Sequence, residues 1–418
     1  MQAVETTGWR TALAGSQMLF VAFGALVLMP LITGMDPSVA LFTAGIGTLI
    51  FQFTTQRQVP VFLASSFAFI APILYSNQTW GLPATLGGLL AAGVMYILLS
   101  LAVRLRGPGF IQRMLPPVVV GPVIMVIGLG LASVAVNMAM GKAGDGSAQL
   151  VEYSTAIIIS MSALATTILV AVFSKGIFRL VPILAGVLVG YGLSWVLGVV
   201  DFGAVGQAPW MAVPSFVTPE FKLAAILFMI PVAIAPAIEH IGDVLAIGSV
   251  TGKDYIHKPG LQRTLLGDGL ATSAAACFGG PPNTTYSEVT GAVMLTRNFN
   301  PNVMIWAAFF AIGLAFVDKF GAVLLSMPVP VMGGILCLLF GSIAVVGMNT
   351  LIRHQVDLSQ ARNLCIVSVT LVFGIGGLII GNDSFNLQGI SLCGVVAIIM
   401  NLILPQTPAE TATPTDTE

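Results

Sequence analysis

The feature that most constrains this chain is the regular return of apolar stretches long enough to cross, or partly cross, a lipid bilayer. They centre near Phe20, Phe42, Phe67, Leu90, Val123, Leu164, Leu188, Ile234, Leu270, Gly291, Phe310, Leu336, Val369 and Val396. A full helical span needs about 20 residues, so about fourteen such segments predict an all-α polytopic membrane protein. Composition removes the soluble alternative. Charged residues make up 8% of the 418 and hydrophobic residues 56%, with a mean hydropathy of +0.97. A soluble chain carries about 25% charged residues. The net charge of −1 gives no argument for nucleic acid as a partner. Cys277, Cys337, Cys365 and Cys393 lie singly in apolar stretches without CxxC spacing and read as reduced packing residues. The first apolar run begins near Thr11 and continues through Pro30, long enough to span, and no cleavable signal is visible. The tail from Pro405 to Glu418 is rich in Thr, Pro and Glu and reads as disordered.

Charge placement tests the count independently. With a cytoplasmic N-terminus, the inside loops hold Arg10, Arg57, Arg104, Arg106, Arg113, Lys175, Arg179, Lys253, Lys258, Arg263, Arg297, Arg353 and Arg362. The outside loops hold only Lys142, Lys222 and Lys319, so thirteen of the sixteen basic residues fall on alternate loops. That asymmetry is the positive-inside pattern, and it puts both termini in the cytoplasm.

Short patterns recur at offsets of 213 to 222 residues. Ser65-Ser66-Phe67-Ala68-Phe69 resembles Thr284-Thr285-Tyr286-Ser287-Glu288, and Met114-Leu115-Pro116-Pro117-Val118 resembles Met327-Pro328-Val329-Pro330-Val331. By the same offset Gln17 in the first span corresponds to Glu239 in the eighth. Halves of seven spans each are odd-numbered, so the second must lie inverted relative to the first, a transporter signature. Two segments are too short to span as plain helices: Pro60 to Pro72, the third, and Pro281 to Thr296, the tenth. Each has a proline followed by hydroxyl, β-branched and aromatic residues, which predicts extended backbone leading into a half-helix. Two half-helix N-termini meeting at mid-membrane offer unpaired N–H donors to a polar solute.

Three acids sit where lipid-facing sequence should carry none. Glu239 and Asp243 are four apart in the eighth span, Ile226 to Gly248, and so share a helix face, and Glu288 lies in the tenth. A carboxylate at mid-membrane costs at least about 2.5–3.5 kcal/mol, which makes each a functional candidate. Interacting carboxyls titrate as a set, the behaviour a proton-coupled carrier needs. Ionised acid can also accept from a ring N–H while backbone N–H donates to a ring carbonyl, which suits a neutral planar solute. His240 points about 100° away from Glu239, toward a helix neighbour. Asp268, in Gly267-Asp268-Gly269 near the cytoplasmic start of the ninth span, is expected to cap the helix or pair with Arg263. His257 and His354 fall in basic cytoplasmic loops and are expected to be solvated. The many glycines, such as Gly333-Gly334, read as close helix packing. No nucleophile–base pair, metal cluster or phosphate loop appears, so neither an enzyme nor a cofactor is expected.

These residues resemble the nucleobase–ascorbate transporter family, nearest its bacterial pyrimidine carriers, from about Thr11 to Leu404. The most specific piece is Glu288-Val289-Thr290-Gly291, then four residues, then Thr296-Arg297. Supporting pieces are Phe23-Gly24-Ala25, Ser65 to Phe69, Glu239-His240-Ile241-Gly242-Asp243, Asn283-Thr284-Thr285-Tyr286 and Pro330-Val331-Met332-Gly333-Gly334. Met18 and Val289 stand where the family usually carries His and Asn, and Asp243 stands where some uracil carriers have His. The resemblance implies a core domain (10–106 and 220–320, spans 1–4 and 8–11) moving against a gate domain (107–200 and 321–404, spans 5–7 and 12–14). Residues 1–9 and 405–418 would be cytoplasmic ends, and the protein a homodimer. It implies that Glu239 and Glu288 hold a base, uracil first of all, by their side chains. Phe67 and Ser287 would add main-chain groups, Ala25, Tyr286 and Phe340 would line the pocket, and Gln17 is placed with them. Asp243, with the two glutamates, is assigned to proton coupling. A purine carrier, an anion transporter on the same architecture and a non-transporting receptor are the alternatives.

Overall fold

The computed structural model describes residues 8–107, 109, 113–382 and 385–405. The disorder expected of the tail falls on residues outside these, from 406 onward. The described chain is overwhelmingly helical. By length and apolar composition seven of its helices qualify as spans, or eight if one bent pair is counted as a single crossing. The other expected segments fall on shorter or broken helices, so an apolar centre in the sequence does not guarantee one straight rod.

The first half runs α1 (Gly8–Val21), α2 (Phe23–Thr33), α3 (Pro37–Thr54), β1 (Leu63–Ser65), α4 (Ile70–Trp80), α5 (Leu82–Arg106), α6 (Pro117–Leu129), α7 (Ala132–Ala139), α8 (Tyr153–Phe173) and α9 (Pro182–Val196). A short α10 (Gly203–Gln207) leads to the second half. That half runs α11 (Leu223–Val232), α12 (Ile234–Thr251), α13 (Leu261–Cys277), β2 (Asn283–Thr285), α14 (Ser287–Thr296), α15 (Asn302–Ala315), α16 (Asp318–Leu325), α17 (Val329–Arg353), α18 (Ala361–Ile375) and α19 (Gly389–Ile403). Local chemistry sets several of these ends. Gly34, at φ 72, closes α2 by giving its N–H to Pro30, and Asp36 starts α3 by accepting from the Ser38 N–H at 2.7 Å, with Pro37 in the first turn.

The first and eighth spans are each one apolar helical stretch, Gly8–Thr33 and Leu223–Thr251, as expected, with a single turn residue of helical φ/ψ between α1 and α2 (Ala22) and between α11 and α12 (Ala233). Gln17 lies on α1, five residues before Ala22, and Glu239 on α12, six beyond Ala233. The third span differs from its expected bounds, because its helix starts at Ile70 and runs past Pro72 to Trp80. Pro72 sits in the first turn, where a missing N–H costs nothing. The bend between α15 and α16 is 82°. Between α18 and α19 an antiparallel hairpin, β3 (Ile379–Asn382) and β4 (Phe385–Gln388), has no counterpart in the sequence reading.

The extended stretches of spans 3 and 10 are the strands β1 and β2, and they pair with each other. Leu63 faces Thr285, Ala64 faces Thr284 and Ser65 faces Asn283, and the Ser66 N–H continues the ladder to the Pro282 carbonyl at 2.9 Å. Ser65 and Thr284 are 219 positions apart, and shifting one strand by that number reproduces the same set of pairs. The ladder therefore maps onto itself when the two halves are exchanged. Neighbouring helices satisfy what the short ladder leaves over. Thr48 binds the Leu63 N–H at 2.9 Å, Gln52 donates to the Val59 and Val61 carbonyls at 2.9 Å, Thr272 donates to the Asn283 carbonyl at 2.7 Å, and Asn283 donates to the Thr43 carbonyl at 2.9 Å. Irregular backbone at this depth survives only with such partners.

The helices pack in two groups. In one, α13 lies on α3 and α5, α15 on α1 and α3, and α11 on α5; in the other, α17 lies on α6, α7 and α8, and α18 on α6 and α19. Glycine permits the closest approach in each. A Cβ at Gly93 would meet the Ser273 nitrogen at 2.7 Å and one at Gly269 the Gly93 carbonyl at 2.8 Å, so α5 and α13 touch backbone to backbone.

Candidate functional site

The two strand–helix units run from the paired strands into α4 and α14, and the acids gather beside the second of them. Glu239 and Asp243 project from α12, and Glu288 stands in the first turn of α14. Glu239's strongest charge neighbour is Asp243, followed by Glu288 and then Asp268. The carboxyls expected to act together are thus brought together. Glu239 is half-buried, whereas Glu288 is reached by solvent although protein surrounds it, which places it in a crevice rather than on an outer surface.

Aromatic side chains close the crevice. Tyr286, buried at the end of β2, has its hydroxyl beside Glu288, Glu239 and the Ala25 backbone, and close to the face of Gly24. Ala25 is fully buried near the start of α2. Phe67, just before α4, meets Phe340 of α17 edge to face, with ring centroids 6.3 Å apart at 84°. That contact crosses from one helix group to the other. Ser287 begins α14, so its backbone N–H lies in the first turn, where helices have no internal acceptor. Gln17 is half-buried on α1 and is not among the charge or hydrogen-bond neighbours of Glu239, Glu288 or Tyr286.

Behind the crevice lies a polar network that the sequence did not reveal. Asp268 neither caps a helix nor pairs with Arg263. It sits in the body of α13, fully buried, its Oδ2 accepting from the Thr284 hydroxyl at 3.1 Å and lying 3.4 Å from His240 Nδ1. The flanking glycines let α13 press against Phe51 on one side and Gly93 and Tyr96 on the other, the close packing expected of the chain's glycines. Thr285 donates to Asp243 Oδ2 at 2.8 Å. His240 does point toward a neighbouring helix, as its position predicted. His257 and His354 are exposed, and His257 pairs with Asp254 at 2.6 Å.

Long apolar spans, two short strand-to-helix segments paired across the halves and acids gathered beside one of them are the features of a multi-pass membrane transporter. A profile of the xanthine/uracil permeases, described as the Permease family, matches residues 10–383. The chain is 60% identical over 410 residues to a probable uracil permease of Pasteurella multocida (strain Pm70), covering 97% of each chain. It is 45% identical over 399 residues to the uracil permease of Bacillus caldolyticus, covering 94% of this chain and 91% of that one. The transmembrane domain of a cyanobacterium bicarbonate transporter, BicA, has the same fold at a TM-score of 0.68 and 14% identity, covering 96% of this chain and 99% of that one. The chain belongs to the permease family of nucleobase–ascorbate transporters, and it is a permease rather than an enzyme.

Proposed function

We propose that this protein is a proton-coupled symporter that imports uracil across the bacterial inner membrane by alternating access. The observation that carries the reading is the meeting of Glu239 and Glu288 at the start of a half-helix in a family whose close relatives are named uracil permeases. Glu239 and Glu288 accept the ring N–H groups; backbone N–H groups at Phe67 and Ser287 donate to the ring carbonyls. Ala25, Tyr286 and Phe340 form the walls. Asp243, held by Thr285 one turn from Glu239, takes the coupling proton with the two glutamates.

The group containing α3, α5, α13 and α15 is the moving core, and the group around α17 is the gate. The Phe67–Phe340 contact is the place where one slides past the other. Both termini lie in the cytoplasm, and the protein works as a homodimer in the bilayer.

Uptake into proteoliposomes tests this directly. Labelled uracil should accumulate under an inside-alkaline pH gradient and be competed by unlabelled uracil, with xanthine, urate and adenine ineffective. Accumulation of a purine instead, or uracil uptake indifferent to the gradient, would overturn the substrate or the coupling respectively.

A further inference from the structure

One ionisable group in the cluster has no part in the scheme above. His240 follows Glu239 on α12 but is fully buried and faces away from the crevice. Its Nδ1 lies 3.4 Å from Asp268 Oδ2 and 3.4 Å from Thr285 Oγ1. The hydroxyl hydrogen of Thr285 is already committed to Asp243 at 2.8 Å, and Asp268 Oδ2 takes the hydrogen of Thr284. Both atoms near Nδ1 are therefore acceptors, which places the ring hydrogen on Nδ1. Separations of this length suit one N–H shared between two acceptors. Phe51 packs at a steep angle to the ring, centroids 6.3 Å apart at 74°, so the imidazole is held on both sides.

We propose that His240 is a positioning residue for Asp243, acting through Thr285. Anchored at Asp268, its Nδ1–H occupies a lone pair of the Thr285 oxygen and leaves the hydroxyl hydrogen aimed at Asp243. Without that donor the hydroxyl is free to turn, and Asp243 loses a fixed partner. The need is physical, because the groups that face this network are acids and phenols: Glu239 and Asp243 on α12, Asp268 on α13, Glu288 on α14, Tyr96 on α5 and Tyr286 after β2. The charge neighbours of Glu239 are all carboxyls, so oriented hydroxyl and imidazole donors hold the ionised forms in place of a lysine or arginine. The assignment rests on Asp243 being the proton partner.

The test compares His240→Asn, His240→Gln and His240→Leu in proteoliposomes, reading pH-driven accumulation of labelled uracil relative to uracil counterflow. An Asn amide N–H overlaps Nδ1 and should keep the wild-type ratio. Gln, whose N–H reaches toward Nε2, and Leu should lower the ratio about tenfold, the size of one buried hydrogen bond, while counterflow stays within about threefold. A Leu variant with the wild-type ratio, or an Asn variant as poor as Leu, overturns the assignment. If the Leu variant does not fold, Thr285→Ser against Thr285→Val makes the same comparison, with only Ser keeping the ratio. Wild-type protein that exchanges uracil but never accumulates it would end the proton-coupled reading and this assignment with it. Wild-type accumulation beside an unaffected Leu variant ends the assignment alone.

Discussion

Replacing Glu239 by Gln separates the work of its charge from the work of its shape. A ring N–H given to a carboxylate is a hydrogen bond to a charged group, worth about 1.5–3 kcal/mol, against about 0.5–1.5 kcal/mol for one to a neutral amide oxygen. The difference of about 1–1.5 kcal/mol corresponds to roughly tenfold weaker binding. That figure is a floor, since an amide turned the wrong way sets donor against donor. A second effect runs the other way. Asp243, Glu288 and Asp268 all lie near Glu239, and like charges inside a protein repel by an amount that falls with separation from about 4 kcal/mol at about 4 Å and an effective dielectric of about 20. Removing one charge relieves that repulsion, so the ligand-free variant should be at least as heat-stable as the parent. Scintillation-proximity binding of labelled uracil, paired with thermal unfolding in the same detergent, reads both. Affinity within about twofold of wild type would refute the charged hydrogen bond, because that change is only about 0.4 kcal/mol. A clear fall in the unfolding midpoint would show that Glu239 supports the fold instead.

Two further outcomes follow from the geometry. Phe340→Ala removes the edge-to-face partner of Phe67, a contact worth about 0.5–1.5 kcal/mol beyond its area, and should weaken uracil binding by about three- to tenfold, with Phe340→Leu falling between; equal affinity in all three proteins would remove Phe340 from the pocket. In the exposed turn after α12, the hydrogen bond from His257 holds the Asp254 carboxyl below its ordinary value of 3.8. A depressed acid contributes stability above its unfolded value that is lost as pH falls through its folded one. Asp254→Asn should therefore lower the unfolding midpoint slightly at neutral pH and make no difference once the pH is below the folded value; a gap that widens on acidification would contradict that sign.

The fold class was legible because it follows from bulk quantities, since 8% charged residues and alternating basic loops admit few other solutions. The paired short spans were legible for a local reason: proline and β-branched runs favour extended chain, and extended chain within a membrane needs a partner strand. Pro231 and Pro236 flank the single turn residue at Ala233, whereas no proline or glycine pair marks the one at Ala22. Asp268, expected to cap the helix or pair with Arg263 because it lies near the start of its span, instead meets Thr284 and His240, partners from other elements that no local spacing reveals. Thr284 and Thr285 stand out in the sequence as part of a repeat, yet their role as hydroxyl donors to two acids on two different helices depends on a sandwich of α12, β2 and α13 that no spacing encodes.

The self-symmetric strand ladder carries a consequence for direction. A solute arriving from either face of the bilayer meets the same arrangement of main-chain groups, so the scaffold itself has no preferred entrance. Preference has to come from what was not duplicated: Glu239, Asp243, Asp268 and Glu288 all belong to the second half, and the position 219 before Glu288 is occupied by Phe69. Under the proposed proton coupling, the ion supply on each side then decides which way cargo moves, and inverting that supply should run the same machine backwards.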